Sequence, residues 1–523
     1  MRESIIVGSG ASGAAAALQL SIAGTDVLIL DVGYRPDSGT PLSRNFYDYR
    51  RDHDTFDKTI GPRYEGLANM LTGREVPVKL TAPYASYVTR GSDVLGPVEE
   101  TDFTAVQSYA RGGLANVWGA GLYRFVDADL DGFPIDAAHL DPYFDRLTET
   151  IGIGGIDDDL AADFGSGRGL LEPLTLSRNI SALHRAYQKR GRSDGIRLGR
   201  ARLAVLTREH AGRPAYKYNA LEFFEEDPSL YSPRYTIDQL VAEKKVDVHD
   251  GLVVESWEES GQIVRVFARD AATGERHEFR CRRLFLAAGA INTARIVLTS
   301  AHDHETELPL LENPALQFPL VMPRFLGSKL QTSAFGLVQL NLVWDSGEHG
   351  MRLQGSIMEI TAPGRAEFFS SFPYSARGNL SLIRYMLPGM IVMQLFFPGD
   401  AQPPARLSLR PDGTLRIVGQ RNDLDLGKLS PLLRFMRRLG AYTSRRLVKR
   451  VPTGHAVHYT SPLPMKHQPG RYECYPSGKL HGTNNIYVVD SAGFTRLPAK
   501  NMSFGMMANA MRIVDATTRG GSV

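Results

Sequence analysis

Apolar and polar positions change period along the first thirty-three residues in a way that predicts strand, turn, helix and second strand. Ile5, Ile6 and Val7 form a β-branched run suited to a buried parallel strand. The run breaks at Gly8-Ser9-Gly10-Ala11-Ser12-Gly13, an alanine-rich helical stretch follows, and Val27 to Leu30 make the next strand before Asp31. Residues 246–257, VDVHDGLVVESW, fit a strand entering a sheet, and Gln262 to Arg282 alternates as a hairpin does. Leu284 to Ala288 then reads as another buried strand, turning at Gly289 into a helix that returns the chain to the first sheet. Between 313 and 451 the texture is that of an antiparallel sheet: FGLVQLNLVW, IMEITAP, MIVMQLFF and ARLSLRPDGTLRIV, the last turning at Pro411-Asp412-Gly413. Arg434 to Arg450 carries a basic helical pattern. Ile486 to Val489 predicts one more strand, and a final helix starts near Asn501 or Ser503.

The glycine turn is G-x-G-x-x-G in the order that binds a dinucleotide. Gly8 permits the tight turn, Gly10 lets a pyrophosphate approach the backbone, and Gly13 lets the helix press on the strand. The helix start, with Ser12 in its first turn, presents free N–H groups and a positive dipole end to the diphosphate. Asp31 follows Gly13 by eighteen residues, close to the roughly 20 expected of a ribose-binding acid, and it argues against a 2′-phosphate. A second glycine-rich stretch, Gly112 to Gly121, contains Gly113, Asn116, Val117 and Trp118. Such density suits either backbone lying against a flat ring or a tight packing turn, in which Asn116 and Trp118 would be ordinary helix-start and core residues.

Composition narrows the class. At 523 residues, two interleaved domains are the natural expectation. A net charge of +3, from 60 basic and 57 acidic residues, implies no nucleic-acid partner. Cys281 and Cys474 form no C-x-x-C pair, which removes a redox-active disulfide and suits a reducing compartment. No apolar run of about 18 residues suggests a membrane span, and the expected location is cytoplasmic. No metal is expected.

The last seventy residues hold the remaining chemistry: HYTSPLPM from His458 to Met465, YVVD from Tyr487 to Asp490, and NMSFGMMANA from Asn501 to Ala510. With the glycine turn, Gly112 to Asn116 and Ala287 to Ile296, these blocks resemble, in order and over almost the whole chain, the glucose-methanol-choline (GMC) oxidoreductases. Three positions depart from the family pattern: Ser461-Pro462 replaces Gly-Thr, Met502 replaces proline, and Asp31 replaces the more frequent glutamate.

The resemblance implies an α/β fold: a Rossmann-like FAD-binding domain of the GMC and p-hydroxybenzoate hydroxylase type, with an inserted α+β substrate domain carrying an antiparallel sheet. The expected FAD-binding domain is discontinuous, over 1–40, 101–125, 236–312 and 452–523, and the covering and substrate domain takes 41–100, 126–235 and 313–451. The cofactor implied is FAD, and the activity is oxidation of a small-molecule alcohol to an aldehyde or ketone. His458 would be the base and Asn501 its partner on the alcohol oxygen; His455, three residues before His458, is a rival base. Cofactor contacts are expected from Gly8, Gly10, Ser12, Gly13, Asp31, Gly113, Asn116, Val117, Trp118, Val254, Ala288, Asp490, Met502 and Ser503. A sugar or aminoglycoside-type hydroxyl is the expected substrate, with Glu359 and Glu367 as acids for a polycation; a sterol-like alcohol is the alternative. A lyase or decarboxylase on the same scaffold is the rival activity. Dioxygen or a carrier would reoxidise the flavin.

Overall fold

The computed structural model describes residues 1–36, 60–67, 80–81, 83–217, 228–331, 335–347, 350–360 and 375–519. Glu367 and most of the connection between 41 and 82 lie outside them.

The opening motif folds as its pattern predicts. β1 (Arg2–Val7) runs into α1 (Ala11–Ile22) through the glycine turn, and β2 (Val27–Leu30) pairs parallel with β1. The sheet has the order β5-β2-β1-β8-β7-β6, where β5 is Asp247–His249, β6 Leu252–Ser260, β7 Ile263–Asp270 and β8 Arg276–Leu286. A last strand, β17 (Ile486–Val488), pairs parallel with β8. Sequence pattern divides 262–288 into a hairpin and a separate strand, but β8 is continuous. Its first half is antiparallel to β7, while Leu284–Leu286 lies parallel between β1 and β17. Alternation gives way to the all-apolar Leu284-Phe285-Leu286 where the strand becomes covered on both faces.

Helices flank this sheet. α2 (Asp141–Ile151), α4 (Pro233–Ala242) and α7 (Ser503–Thr518) share the core of α1, and Gln19 Nε2 donates to Asp515 Oδ1 at 2.9 Å to tie α1 to α7. On the other face lie α5 (Ala290–Ser300) and a four-stranded sheet of order β3-β15-β14-β9. Its strands are β3 (Val98–Thr101), β9 (Leu308–Leu310), β14 (Ala405–Leu409) and β15 (Leu415–Val418). Thus the ARLSLRPDGTLRIV hairpin stands apart from the large antiparallel sheet. Leu407, Leu415 and Ile417 join the core of Ile5, Leu28 and Leu286 instead.

That large sheet has the order β16-β10-β13-β12-β11-β4, with β4 Ile196–Arg200, β10 Ala315–Val321, β11 Leu340–Ser346, β12 Met351–Glu359, β13 Met390–Phe396 and β16 Lys449–Arg450. One face packs on α3 (Arg178–Arg190) and α6 (Ser430–Arg438). The basic pattern over 434–450 is therefore α-helical only to Arg438; Gly440, at φ +85°, follows the helix, Arg445–Leu447 makes a single 3-10 turn, and Lys449–Arg450 becomes an edge strand.

Candidate active site

The two sheets enclose a cavity of about 730 Å³, a size suited to a small-molecule or cofactor site. The glycine turn forms one end of it. A Cβ on Gly8 would meet Ala287 O at 2.6 Å, and one on Gly13 would meet Gly8 O at 2.0 Å, whereas at Gly10 it would meet nothing within 4 Å. Gly8 and Gly13 are glycine because backbone and helix close on them; Gly10 faces open space.

The helix starts of α1, α5 and α7 all reach this cavity, through Ala11 and Ser12, through Ala290 and Ile291, and through Ser503 and Met506. The Ser12 hydroxyl is buried with no protein partner among the described residues. Asp31 Oδ2 accepts from Ser9 N at 2.6 Å and Oδ1 from Gly33 N at 3.1 Å, and burial raises its pKa. Asp490 accepts from Thr293 Oγ1 at 2.5 Å, Gly289 N at 2.8 Å and Ala492 N at 2.9 Å; burial pushes it up to about 6. The first-turn N–H groups of three helices and the unpartnered Ser12 hydroxyl, all lining one cavity, fit a diphosphate-bearing dinucleotide.

Of the residues expected to touch a cofactor, all except Gly13 and Asn116 line this cavity. Gly13 has the packing role just described. Asn116 is buried as a brace: its Nδ2 donates to Arg111 O and Gly113 O at 2.9 and 3.0 Å, and its Oδ1 accepts from Ser232 Oγ at 2.6 Å. It closes the short helix that begins at Gly113 and ends at Asn116. Trp118 lines the cavity while its Nε1 donates to Tyr231 O at 3.0 Å.

His458, Asn501 and His455 line the same cavity. The residue that orients His458 is Asn313, which its sequence context does not single out. Asn313 Nδ2 donates to Phe397 O at 2.8 Å and to Pro498 O at 2.9 Å. Neither carbonyl can donate, so the amide orientation is determined and Asn313 Oδ1, 2.9 Å from His458 Nδ1, must accept from it. The proton therefore resides on Nδ1, leaving the Nε2 lone pair as an acceptor. Desolvation pushes the imidazole down to about 4, so the ring is neutral at pH 7.

The backbone around His458 is unusual. Val457, a β-branched residue, sits at φ +58°, and Ser461 sits at φ +76°, conformations that cost non-glycine residues energy. Ser461 is the position at which the family pattern has glycine, so the serine adopts the left-handed conformation that glycine takes without strain. Its N–H donates to Ser491 O at 3.2 Å, and its hydroxyl is 2.9 Å from Thr460 Oγ1.

Asn501 precedes α7, whose N-cap is Met502 without a side-chain cap bond; the asparagine is therefore no cap. Its Nδ2 lies where a Cβ on Gly121 would come within 2.7 Å. The neighbouring Lys500 is buried and anchors the segment, with Nζ bonded to Asp129, Arg124 O and Asp163 O. Glu359 also lines the cavity, and its carboxylate accepts from Ser177 Oγ, at the start of α3.

No protein-family model and no curated protein sequence matches the chain. Solved structures do. The crystal structure of pyridoxine 4-oxidase from Mesorbium loti is 15% identical, with 100% of each chain covered and a TM-score of 0.58. That of formate oxidase is 13% identical, with 99% of this chain and 98% of that one covered and a TM-score of 0.62. A mutant of the Aspergillus oryzae RIB40 formate oxidase, made to study FAD modification, gives 12%, 99%, 98% and 0.61. From the glycine turn at its first strand to its last helix, the chain has the fold of pyridoxine 4-oxidase and formate oxidase.

Proposed function

We propose that this protein is an FAD-dependent oxidoreductase of the GMC type that converts an alcohol, CH–OH, to the aldehyde or ketone. One observation carries the reading. The cavity that joins the glycine turn to the starts of three helices also contains a neutral histidine of determined tautomer and an asparagine amide. The neighbouring folds support it, since the pyridoxine and formate structures are named as oxidases and the second is described with FAD.

FAD bound along that cavity would supply the acceptor for the hydride leaving the carbinol carbon. The rest belongs to the chain. The glycine turn, Ser12 and the helix starts would hold the diphosphate, and Asp31 lies at the end expected for a ribose. His458 Nε2 takes the hydroxyl proton as the carbon–oxygen double bond forms, and Asn501 Nδ2 donates to the oxygen while negative charge develops on it. Asn313 keeps the imidazole in the tautomer that can accept. Its bond to Nδ1 is the observation that favours His458 as the base.

The substrate we propose is a sugar-like hydroxyl rather than the polycation of an aminoglycoside: of the two acids expected for a polycation, the one among the described residues, Glu359, lines the cavity but accepts from the Ser177 hydroxyl. Two buried, unpaired cysteines suit a reducing, cytoplasmic setting, and no described helix is long and apolar enough to cross a membrane.

The test is the visible spectrum of the purified protein, followed by anaerobic mixing with a panel of alcohols. Bleaching of the flavin band that falls about 10² to 10⁴-fold in rate in His458→Ala is the expected result. A protein that takes up no FAD, or bleaching that His458→Ala leaves untouched, would count against the assignment.

A further inference from the structure

The sheet opposite the glycine turn carries a pattern that this chemistry leaves unused. In β10, β12 and β13 successive side chains face opposite sides. Phe318, Ile357 and Met393 enter the core beneath α3 and α6, and the intervening Gln317, Ser356 and Gln394 line the cavity. Register brings these last three into one row: Gln317 is opposite Gln394, and Gln394 is opposite Ser356.

The inner end of the row is anchored. Ser356 is opposite Asn341, a fully buried residue whose Oδ1 accepts from the Tyr123 hydroxyl at 2.7 Å and whose Nδ2 reaches Ser356 Oγ at 3.4 Å. The outer end is not: the side-chain amides of Gln317 and Gln394 have no hydrogen-bond partner among the described residues. Along β13 the row lies between two different neighbours. Phe396, two residues one way, packs on the His458 ring with centroids 5.7 Å apart. Val392, two residues the other way, is opposite Met358, and both line the cavity. At about 3.3 Å per residue, the amides lie ~7 Å and the apolar pair ~13 Å along the strand from Phe396.

We propose that this face determines specificity and takes an alcohol with uncharged hydrogen-bonding groups close to the oxidised carbon and an apolar portion beyond them. A primary amide offers two donors and an acceptor, which matches hydroxyl groups that also do both. Neutral amides meet a neutral polyol at little desolvation cost, and the row itself carries no carboxylate, although Glu359, on the same strand as Ser356, also lines the cavity. The inference rests on the oxidation proposed above.

Three probes test it on the FAD-loaded enzyme: n-octyl β-D-glucopyranoside, methyl β-D-glucopyranoside and 1-octanol, compared by efficiency of anaerobic flavin bleaching. The octyl glucoside is expected to be best and 1-octanol poorest. Gln394→Leu is expected to lower the ratio of glucoside to octanol efficiency about tenfold, the loss that accompanies a missing hydrogen bond in a closed site. Gln317→Met, at the exposed end of the row, should move the ratio in the same direction if Gln394→Leu folds poorly. Equal efficiencies, or a ratio that both variants leave unchanged, overturns the proposal. So does an enzyme that other alcohols bleach but these three do not. An enzyme that no alcohol bleaches overturns instead the oxidation on which the proposal stands.

Discussion

The two walls of the cavity are built from different material. On the glycine-turn side the backbone is the surface: Gly8, Gly10 and Gly113, with the first turns of three helices, line it. On the opposite side the surface consists of side chains standing off regular strands, Gln317, Gln394, Ser356, Val392 and Met358. A backbone wall tolerates no added atom where chain meets chain. A side-chain wall can be re-cut at alternate positions while the other face of each strand keeps its core. The first suits a cofactor that does not vary, the second a substrate that can.

Substitution at the contact behind the backbone wall should break this contrast most severely. Gly13→Val would drive a side chain into Gly8 O, at a cost of about 3 kcal/mol or more for overpacking, and should abolish FAD retention. Val392→Ala, on the other wall, should leave the flavin bound. Thermal melts with FAD content measured on both variants decide the matter; equal loss in both would erase the distinction.

Behind the lining, Glu312 and Asn313 hold the segment that carries His458, through Gly454 and the imidazole. Glu312 Oε2 accepts from Gly454 N at 2.7 Å, and Gly454, at φ +92°, leaves no room for a Cβ against Thr104 O. Burial pushes the Glu312 carboxyl up to about 8. A folded value above the unfolded one means that the native state retains a proton the unfolded chain has lost. The associated stability is full below about pH 4.5 and is lost as pH rises towards 8. Glu312→Gln should remove that dependence, an effect on the order of a few kcal/mol at about 1.4 kcal/mol for each unit. Melting curves of parent and variant from pH 5 to 8 that run parallel would refute it.

A smaller effect is expected one residue on. Asn313→Leu removes the acceptor that keeps the His458 proton on Nδ1, so flavin reduction should slow by about 10 to 100-fold, the scale of a misplaced catalytic group. Substrate binding, read from spectral titration, should change little. If binding and reduction fall together, Asn313 supports the loop rather than the base.

Local pattern carried much of this architecture. β1, α1 and β2 were legible because a β-branched run, a glycine turn and an alanine helix each have a physical cause within a few residues. The continuous β8 was not, because one strand changes partners halfway and a periodicity reading sees two environments. The hairpin at 405–418 resembles any other antiparallel pair; its membership of a third sheet depends on what Leu407 and Ile417 are packed against. Asn116 followed a family spacing, yet its polar atoms are all committed to neighbouring protein groups.

The sequence by itself determined the dinucleotide turn, the antiparallel character of the second large sheet, and His458 and Asn501 as the candidates for chemistry. The first two are short-range matters of residue type and spacing, whereas His458 and Asn501 follow from the resemblance of ordered blocks to a family pattern. Only the tertiary structure decided which nitrogen of His458 carries the proton, that Glu359 faces Ser177, and that Gln317, Gln394 and Ser356 form one row. These depend on partners over a hundred residues away or on strand register, and hydrogen-bond direction and register exist only once the chain has closed on itself.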